Sequence, residues 1–185
     1  LLYKPSPAFN IRLSGGSGYE TPNVFSMAGI NYFTIDPPQA SVMPEKSYSA
    51  NGDINYNTLL FHVVSLHFDQ AFYFTSITHP ALIRNAGQRQ EYYTSNVSVQ
   101  STGADSYCRL HYRDFELYLG YNHTIARFTD QKTHWVPYSP QDKYSTTMMY
   151  EVEEHWRFGI ENSRVANQYR DDGTKARNYW FWAAL

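Results

Sequence analysis

Polar and apolar residues alternate with a period of two along most of this chain. The clearest run lies between Val63 and His79. Val64, Leu66, Phe68, Gln70, Phe72 and Phe74 fall on one parity, and Ser65, His67, Asp69, Ala71, Tyr73 and Thr75 on the other. Successive side chains of a strand point to opposite sides, so the pattern predicts a strand with one oily and one wet face. It is longer than the roughly 5–6 residues usual in soluble proteins. A strand of about 10 residues or more with this pattern suits the wall of a transmembrane barrel, with lipid outside and a watery lumen inside. A long strand of a soluble sandwich alternates in the same way, with its oily side on a core.

The same period recurs along the chain. Ala8 to Gly18 reads as a strand with Phe9, Ile11 and Leu13 opposite Asn10, Arg12 and Ser14, loosened by Gly15, Gly16 and Gly18. Ser47 to Leu60 follows, with Ser49, Asn51, Asp53, Asn55 and Asn57 on its wet side, a poor lining for a dry core. Pro80 interrupts the run that starts at Val63, and Ala81-Leu82-Ile83 resumes it before a turn over residues 85–89. Tyr92 to Arg113 reads as one long strand, made less regular by Gly103. Phe115–Phe128, Lys143–Glu154, Trp156–Gln168 and Asn178–Leu185 complete the set, the last two joined through the Asp172-Gly173 turn. The expected fold is all-β: about eight long antiparallel strands in a meander, forming part of a transmembrane β-barrel. The connections sort by length. Turns at His62, Arg113-Asp114 and His155 are short; those at Thr21–Met43, Asn85–Gln90, Asp130–Gln141 and Tyr169–Ala176 are long. Short turns at one end and long loops at the other are the habit of outer-membrane barrels.

Composition narrows the class. Aromatic residues make up 17% of the chain, which favours strands and supplies the girdles of membrane barrels. Mean hydropathy is −0.55, and the longest apolar runs are a few residues, as in Leu59-Leu60-Phe61. A membrane helix needs about 20 apolar residues, so a helical membrane protein is excluded. A net charge of −2 gives no pull toward nucleic acid. The single cysteine, Cys108, has no partner for a disulfide or a metal pair. The start Leu1-Leu2-Tyr3-Lys4-Pro5 lacks both Met and the pattern of a signal peptide, and reads as cut from a longer precursor.

Several motifs in order resemble those of the TonB-dependent outer-membrane receptors. Arg12-Leu13-Ser14-Gly15-Gly16-Ser17-Gly18-Tyr19-Glu20-Thr21-Pro22-Asn23 is similar to the family's strand ending in Gly-x-Gly-aromatic-x-x-Pro, with Glu20 where the family often has Arg. Pro44-Glu45-Lys46-Ser47 resembles the element that opens the next strand. Phe72-Tyr73-Phe74-Thr75, then Leu117 to Thr124, Pro137-Tyr138-Ser139-Pro140 and Met149 to Glu153, continue the likeness over nearly the whole chain. The resemblance implies structural roles for Arg12, Gly18, Tyr19, Pro22, Pro44 and Glu45, with Arg12 and Glu45 bonding within the barrel wall. It implies a C-terminal part of a barrel of roughly 22 strands, with the plug domain and the last strands outside residues 1–185. Such receptors sit in the cell outer membrane and take up siderophore-bound iron, haem, vitamin B12 or glycans. TonB energises them through the plug. The implied partners are therefore outer-membrane lipid, TonB and a nutrient such as an iron-siderophore, with no cofactor.

Access places ligand contacts in the long loops, since the wall is fixed by its hydrogen-bond ladder. Tyr32, Phe33, His134, Trp135 and Tyr138 are the aromatic candidates; otherwise they form an interfacial girdle or pack the loops together. No catalytic or metal site is expected. His62 and His67 lack a ligand signature, although His111 and His123 on neighbouring strands could approach each other. Glu151, Glu153, Glu154 and the Asp171-Asp172 pair carry no sign of the cleft that carboxylate catalysis requires. Two other readings compete. A soluble β-sandwich or small barrel would bind carbohydrate, and a β-rich hydrolase would use the Glu or His residues. The sandwich predicts Val64, Leu66, Phe68, Phe72, Leu117 and Leu119 inside and Asp53, Asn55 and Asp69 outside; the barrel reverses this.

Overall fold

A computed structural model of the chain describes residues 1–21, 42–87, 89–130, 134–152 and 155–184. Among these residues there is no helix. The strands are β1 (Leu2–Ser6), β2 (Phe9–Glu20), β3 (Glu45–Leu60), β4 (Val64–Thr78), β5 (Ala81–Ala86), β6 (Arg89–Thr94), β7 (Val99–Tyr112), β8 (Phe115–Phe128), β9 (Asp142–Val152), β10 (Trp156–Ala166) and β11 (Tyr179–Ala184). Nine of them form one sheet in the order β1-β2-β3-β4-β7-β8-β9-β10-β11, and β5 and β6 pair by themselves. Every pairing is antiparallel.

The register aligns the parities read from the sequence. On one face Thr58, Leu66, Leu110, Leu117, Met148 and Ile160 stand side by side across successive strands. The next row on that face carries Tyr56, Phe68, Cys108, Leu119 and Thr146. The opposite face carries Asn55, Asp69, Tyr107, Gly120 and Ser145. A shift of one residue in any strand would interchange these faces, so the pattern fixes the register strongly.

Among the described residues no second layer packs on this sheet. Among the described residues the only buried apolar side chains are Pro80, Phe128 and Ala166. The accessible surface is 12901 Å², whereas a compact soluble domain of this mass would expose roughly 9,200 Å². Phe72 is 55% exposed and Leu119 39%, and Trp156, Phe158 and Ile160 lie open on the same face. Asp53, by contrast, keeps only 15% of its side chain exposed. The soluble sandwich required the reverse, and the sheet does not fit it.

The short connections gather at one end of the sheet, at residues 7–8, 61–63, 113–114 and around His155. Phe61, His62 and Arg113 take positive φ angles of 51°, 62° and 51° there, as tight reversals demand. The long connections gather at the other end, as the sequence pattern expects.

Two strand assignments change. Residues 2–6, which the sequence pattern assigned to no element, form β1 at the sheet edge, where Pro5 costs no interior ladder bond. The long strand expected from Tyr92 to Arg113 is two elements. The chain turns at Ser95, whose hydroxyl accepts from the Val97 N–H at 3.1 Å. Residues 89–94 pair with β5 in a hairpin outside the main sheet, so residues 85, 86, 89 and 90 are strand and residue 87 turn, where one loop was expected. Gly103 does not interrupt β7. The Tyr73 ring crosses over it to bond Thr124. A Cβ at this position would run into the Tyr73 ring and the His123 carbonyl oxygen. Gly103→Val is therefore expected to destabilise the sheet by about 1–3 kcal/mol, read as a lower urea midpoint of unfolding.

Candidate functional site

The polar face is a continuous network of cross-strand contacts. Arg12 Nε donates to Asp53 Oδ1 at 2.8 Å, Asn55 donates to Asp69, and His67 Nε2 lies 2.6 Å from Asp69 Oδ2. Toward the short-turn end Arg109 and Tyr118 both donate to Glu116, with His111 3.3 Å from the same carboxylate. Here the charges neutralise one another around a hollow of about 260 Å³ bordered by Asn57, Ser65, His67, Arg109 and His111.

The long-loop end differs. Register sets Asp105, Asn122 and Lys143 side by side on β7, β8 and β9. Asn122 donates to Asp105, and among the described residues Lys143 has no ion-pair partner. These residues and Ser163 line a hollow of about 740 Å³, overhung by Tyr138 and Gln168 from two long loops. Tyr107 and Tyr179 also border it. Arg164 also borders it, so hydroxyls, amides, one carboxylate and two cations around a wide opening suit an oxygen-rich polar ligand. The arrangement offers no nucleophile paired with a base. Among the described residues no group of three or more His, Cys, Asp or Glu could hold a metal ion.

The loop candidates separate into different roles. β9 starts opposite His123, which leaves the top of β8 without a neighbour on that side. Residues 134–136 fill the gap: Phe128 N–H donates to the His134 carbonyl at 2.8 Å and Val136 N–H to Ala126 at 3.0 Å. Unpaired backbone groups are thereby satisfied. The His134 ring packs 4.4 Å from Phe128 and lies 2.8 Å from Asp130, and Trp135 stacks on Tyr169 at 5.4 Å. His134 and Trp135 thus pack the loops. Tyr138 alone of these three borders the hollow; it is 58% exposed, with its N–H bonded to the Tyr169 carbonyl. Tyr32, Phe33 and Pro22 lie outside the described residues.

The motif residues belong to the wall. Arg12 bonds Asp53, and Glu45 accepts from the Ala81 N–H at 2.7 Å, tying the β5–β6 hairpin to β3. Gly18 faces Ser47 across the ladder; a Cβ there would press on the Ser47 hydroxyl at 3.1 Å. Tyr19 is 81% exposed on the apolar face beside Pro44 and Lys46. His111 and His123 do not approach: His111 stands opposite Glu116 and His123 opposite Ala104, on different faces. Lys143, Gln168 and Tyr179 were not among the expected contacts. Their signal was parity, since Asp105, Asn122 and Lys143 occupy wet positions near the same strand ends, but only the register shows that they are neighbours.

Trp135→Ala is expected to cost about 0.5–1.5 kcal/mol of loop stability, read as faster proteolysis within residues 129–141. A second expectation concerns the 167–178 loop. The Thr174 hydroxyl and N–H both donate to Asp172 and hold its carboxyl below the usual carboxylate range. A depressed carboxylate supports its turn above the unfolded pKa, and that support fades as pH falls through the folded value. An NMR titration should place the Asp172 midpoint below about 3.9, and Thr174→Val should return it toward that value.

No protein-family model matches the chain, and no curated protein matches it. Solved structures do. The ferric yersiniabactin uptake receptor FyuA from Yersinia pestis superposes with a TM-score of 0.67 at 17% identity, over 99% of this chain and 28% of its own. The copper transporter OprC gives a TM-score of 0.71 at 12% identity, over 99% of this chain and 29% of its own. The pyoverdine outer membrane receptor FpvA from Pseudomonas aeruginosa PAO1 gives 0.63 at 12% identity, over 99% and 27%. The chain spans under a third of the length of each of these proteins. It has the fold of a run of consecutive barrel strands in TonB-dependent receptors.

Proposed function

We propose that this chain is part of the barrel wall of a TonB-dependent receptor in the bacterial outer membrane. The observation that carries the reading is the single-layer sheet: one face apolar and open, the other a hydrogen-bonded polar network. A lone sheet of this kind is stable only where hydrocarbon covers the first face and the second lines a wet lumen. The solved structures it resembles are named as receptors or transporters for ferric yersiniabactin, copper and pyoverdine, which supports uptake of a metal or metal-chelate nutrient. In the whole receptor a plug domain would fill the lumen and couple it to TonB. The ligand would enter from the long-loop side and meet the hollow lined by Asp105, Asn122, Lys143 and Tyr138. This is a transport and binding role, not an enzymatic one.

The test is face-specific labelling in outer-membrane preparations. Single cysteines at Leu117 and Asn122, each in a Cys108→Ser background, are exposed to a water-borne maleimide. Asn122→Cys should react and Leu117→Cys should stay protected until the membrane is dissolved. Free reaction at Leu117 with protection at Asn122 would overturn the barrel reading.

A further inference from the structure

The smaller hollow on the wet face, toward the short turns, has a lining of donors. Asn57, His67 and Arg109 stand side by side on β3, β4 and β7, and Ser65 and His111 stand side by side one step nearer the turns. These five border about 260 Å³ and bring an amide, a hydroxyl, a guanidinium and two imidazoles. Among the described residues no carboxylate borders it. Two carboxylates hold the donors in place. Asp69 Oδ2 is 2.6 Å from His67 Nε2, and the Asn57 amide oxygen faces the other ring nitrogen. An oxygen at each nitrogen suits the imidazolium ring, which donates at both, whereas neutral imidazole donates at one. Glu116 accepts from one terminal nitrogen of Arg109 and lies 3.3 Å from His111 Nδ1. Among the described residues the Ser65 hydroxyl, His111 Nε2 and the other N–H groups of Arg109 have no hydrogen-bond partner. These donors are left for a guest that accepts.

Charge decides when such a guest can enter. The flanking strand β3 brings only the neutral Asn55 and Asn57. Around the two imidazoles, β4 brings Asp69, β7 brings Tyr107 and Arg109, and β8 brings Glu116 and Tyr118. Beyond them β9 brings the uncharged Thr147 and Met149. Near neutral pH phenols are uncharged, and carboxylates and guanidinium keep their charges. With both imidazoles neutral, one guanidinium faces two carboxylates, and the cluster carries a net negative charge. With both protonated, three cations face two carboxylates, and the sign reverses. Histidine is the side chain that makes this change between about pH 5 and 8.

We propose that this hollow is an acid-switched oxyanion site, taking a tetrahedral ion such as phosphate or sulfate when His67 and His111 are protonated and releasing it when they are not. The inference rests on the barrel reading, which puts this face in lumen water. The volume suits the guest: a water claims about 30 Å³, so an oxyanion and several waters fit together. Arg109 contributes a charge-assisted bond to an oxyanion oxygen, and the Ser65 hydroxyl a neutral one.

The experiment is equilibrium dialysis of radiolabelled sulfate against the full receptor carrying this chain, in non-ionic detergent at constant ionic strength. It is run at about pH 5.5 and about pH 8, on either side of the histidine range. Sulfate keeps one charge state throughout, so a change in binding belongs to the protein. Binding should be at least about fivefold tighter at the lower pH, the scale of one charge contact in water. The double variant His67→Gln/His111→Gln should lose that difference, and His111→Lys should hold sulfate at both pH values. Arg84→Gln, whose parent residue pairs with Glu91 in the β5–β6 hairpin, should change nothing. A pH difference in the double variant within about twofold of wild type would overturn the proposal. So would equal binding by wild type at both pH values, or none at the lower. Heat-modifiable gel migration of the same samples reads the barrel separately. A receptor that migrates as a barrel without acid-dependent sulfate binding sinks only this inference; a chain that never shows barrel migration sinks the reading beneath it.

Discussion

A single antiparallel sheet must satisfy its own backbone and also find two different solvents for its two faces. Here the ladder does the first task across the main sheet from β1 to β11, with one irregularity in β1 between Tyr3 and Ser6. Among the described residues no second layer packs on either face, so the second task falls to the surroundings. Hydrocarbon has no hydrogen bonds to give, which is why only helices and closed sheets survive in it. Under the proposed barrel reading, the alternation of oily and wet residues in β3, β4, β7 and β8 is the side-chain expression of that constraint.

The same constraint explains local details that look unrelated. The Tyr73 ring lies over Gly103 because a two-sided sheet has no core from which to fill a missing side chain. Residues 134–136 fold back on β8 because β9 stops short of its upper end and the exposed peptide groups need partners. Glu45 caps the Ala81 N–H where Pro80 breaks the continuation of β4. In each case a gap in the wall is closed by the nearest polar group or ring.

The two faces also carry their charge differently. On the wet side the charges near the short turns pair with one another, while among the described residues Lys143 at the long-loop end has no ion-pair partner. On the oily side charge vanishes from the short-turn half and reappears at the other rim, where Asp142 is saturated and Arg164 is not. The asymmetry of loop length and the asymmetry of charge point to the same end of the molecule.

The sequence by itself determined the fold class, the two faces and most strand bounds. Phe115–Phe128 was read to the residue, because period-two alternation is a local property that any one strand displays alone. It also marked the short turns at His62 and Arg113-Asp114, but took the β5–β6 hairpin at residues 85–90 for a loop. It did not reveal β1, whose Pro5 and Pro7 argue against strand, nor the departure of β6 from the main sheet, since a hairpin arm and the start of a long strand alternate alike. Tertiary structure alone decided which wet residues are neighbours. Asp105, Asn122 and Lys143 are far apart in the chain, and their meeting depends on register, a relation between strands that no single strand encodes. For the same reason it separated Tyr138, which overhangs the hollow, from His134 and Trp135, which close the wall.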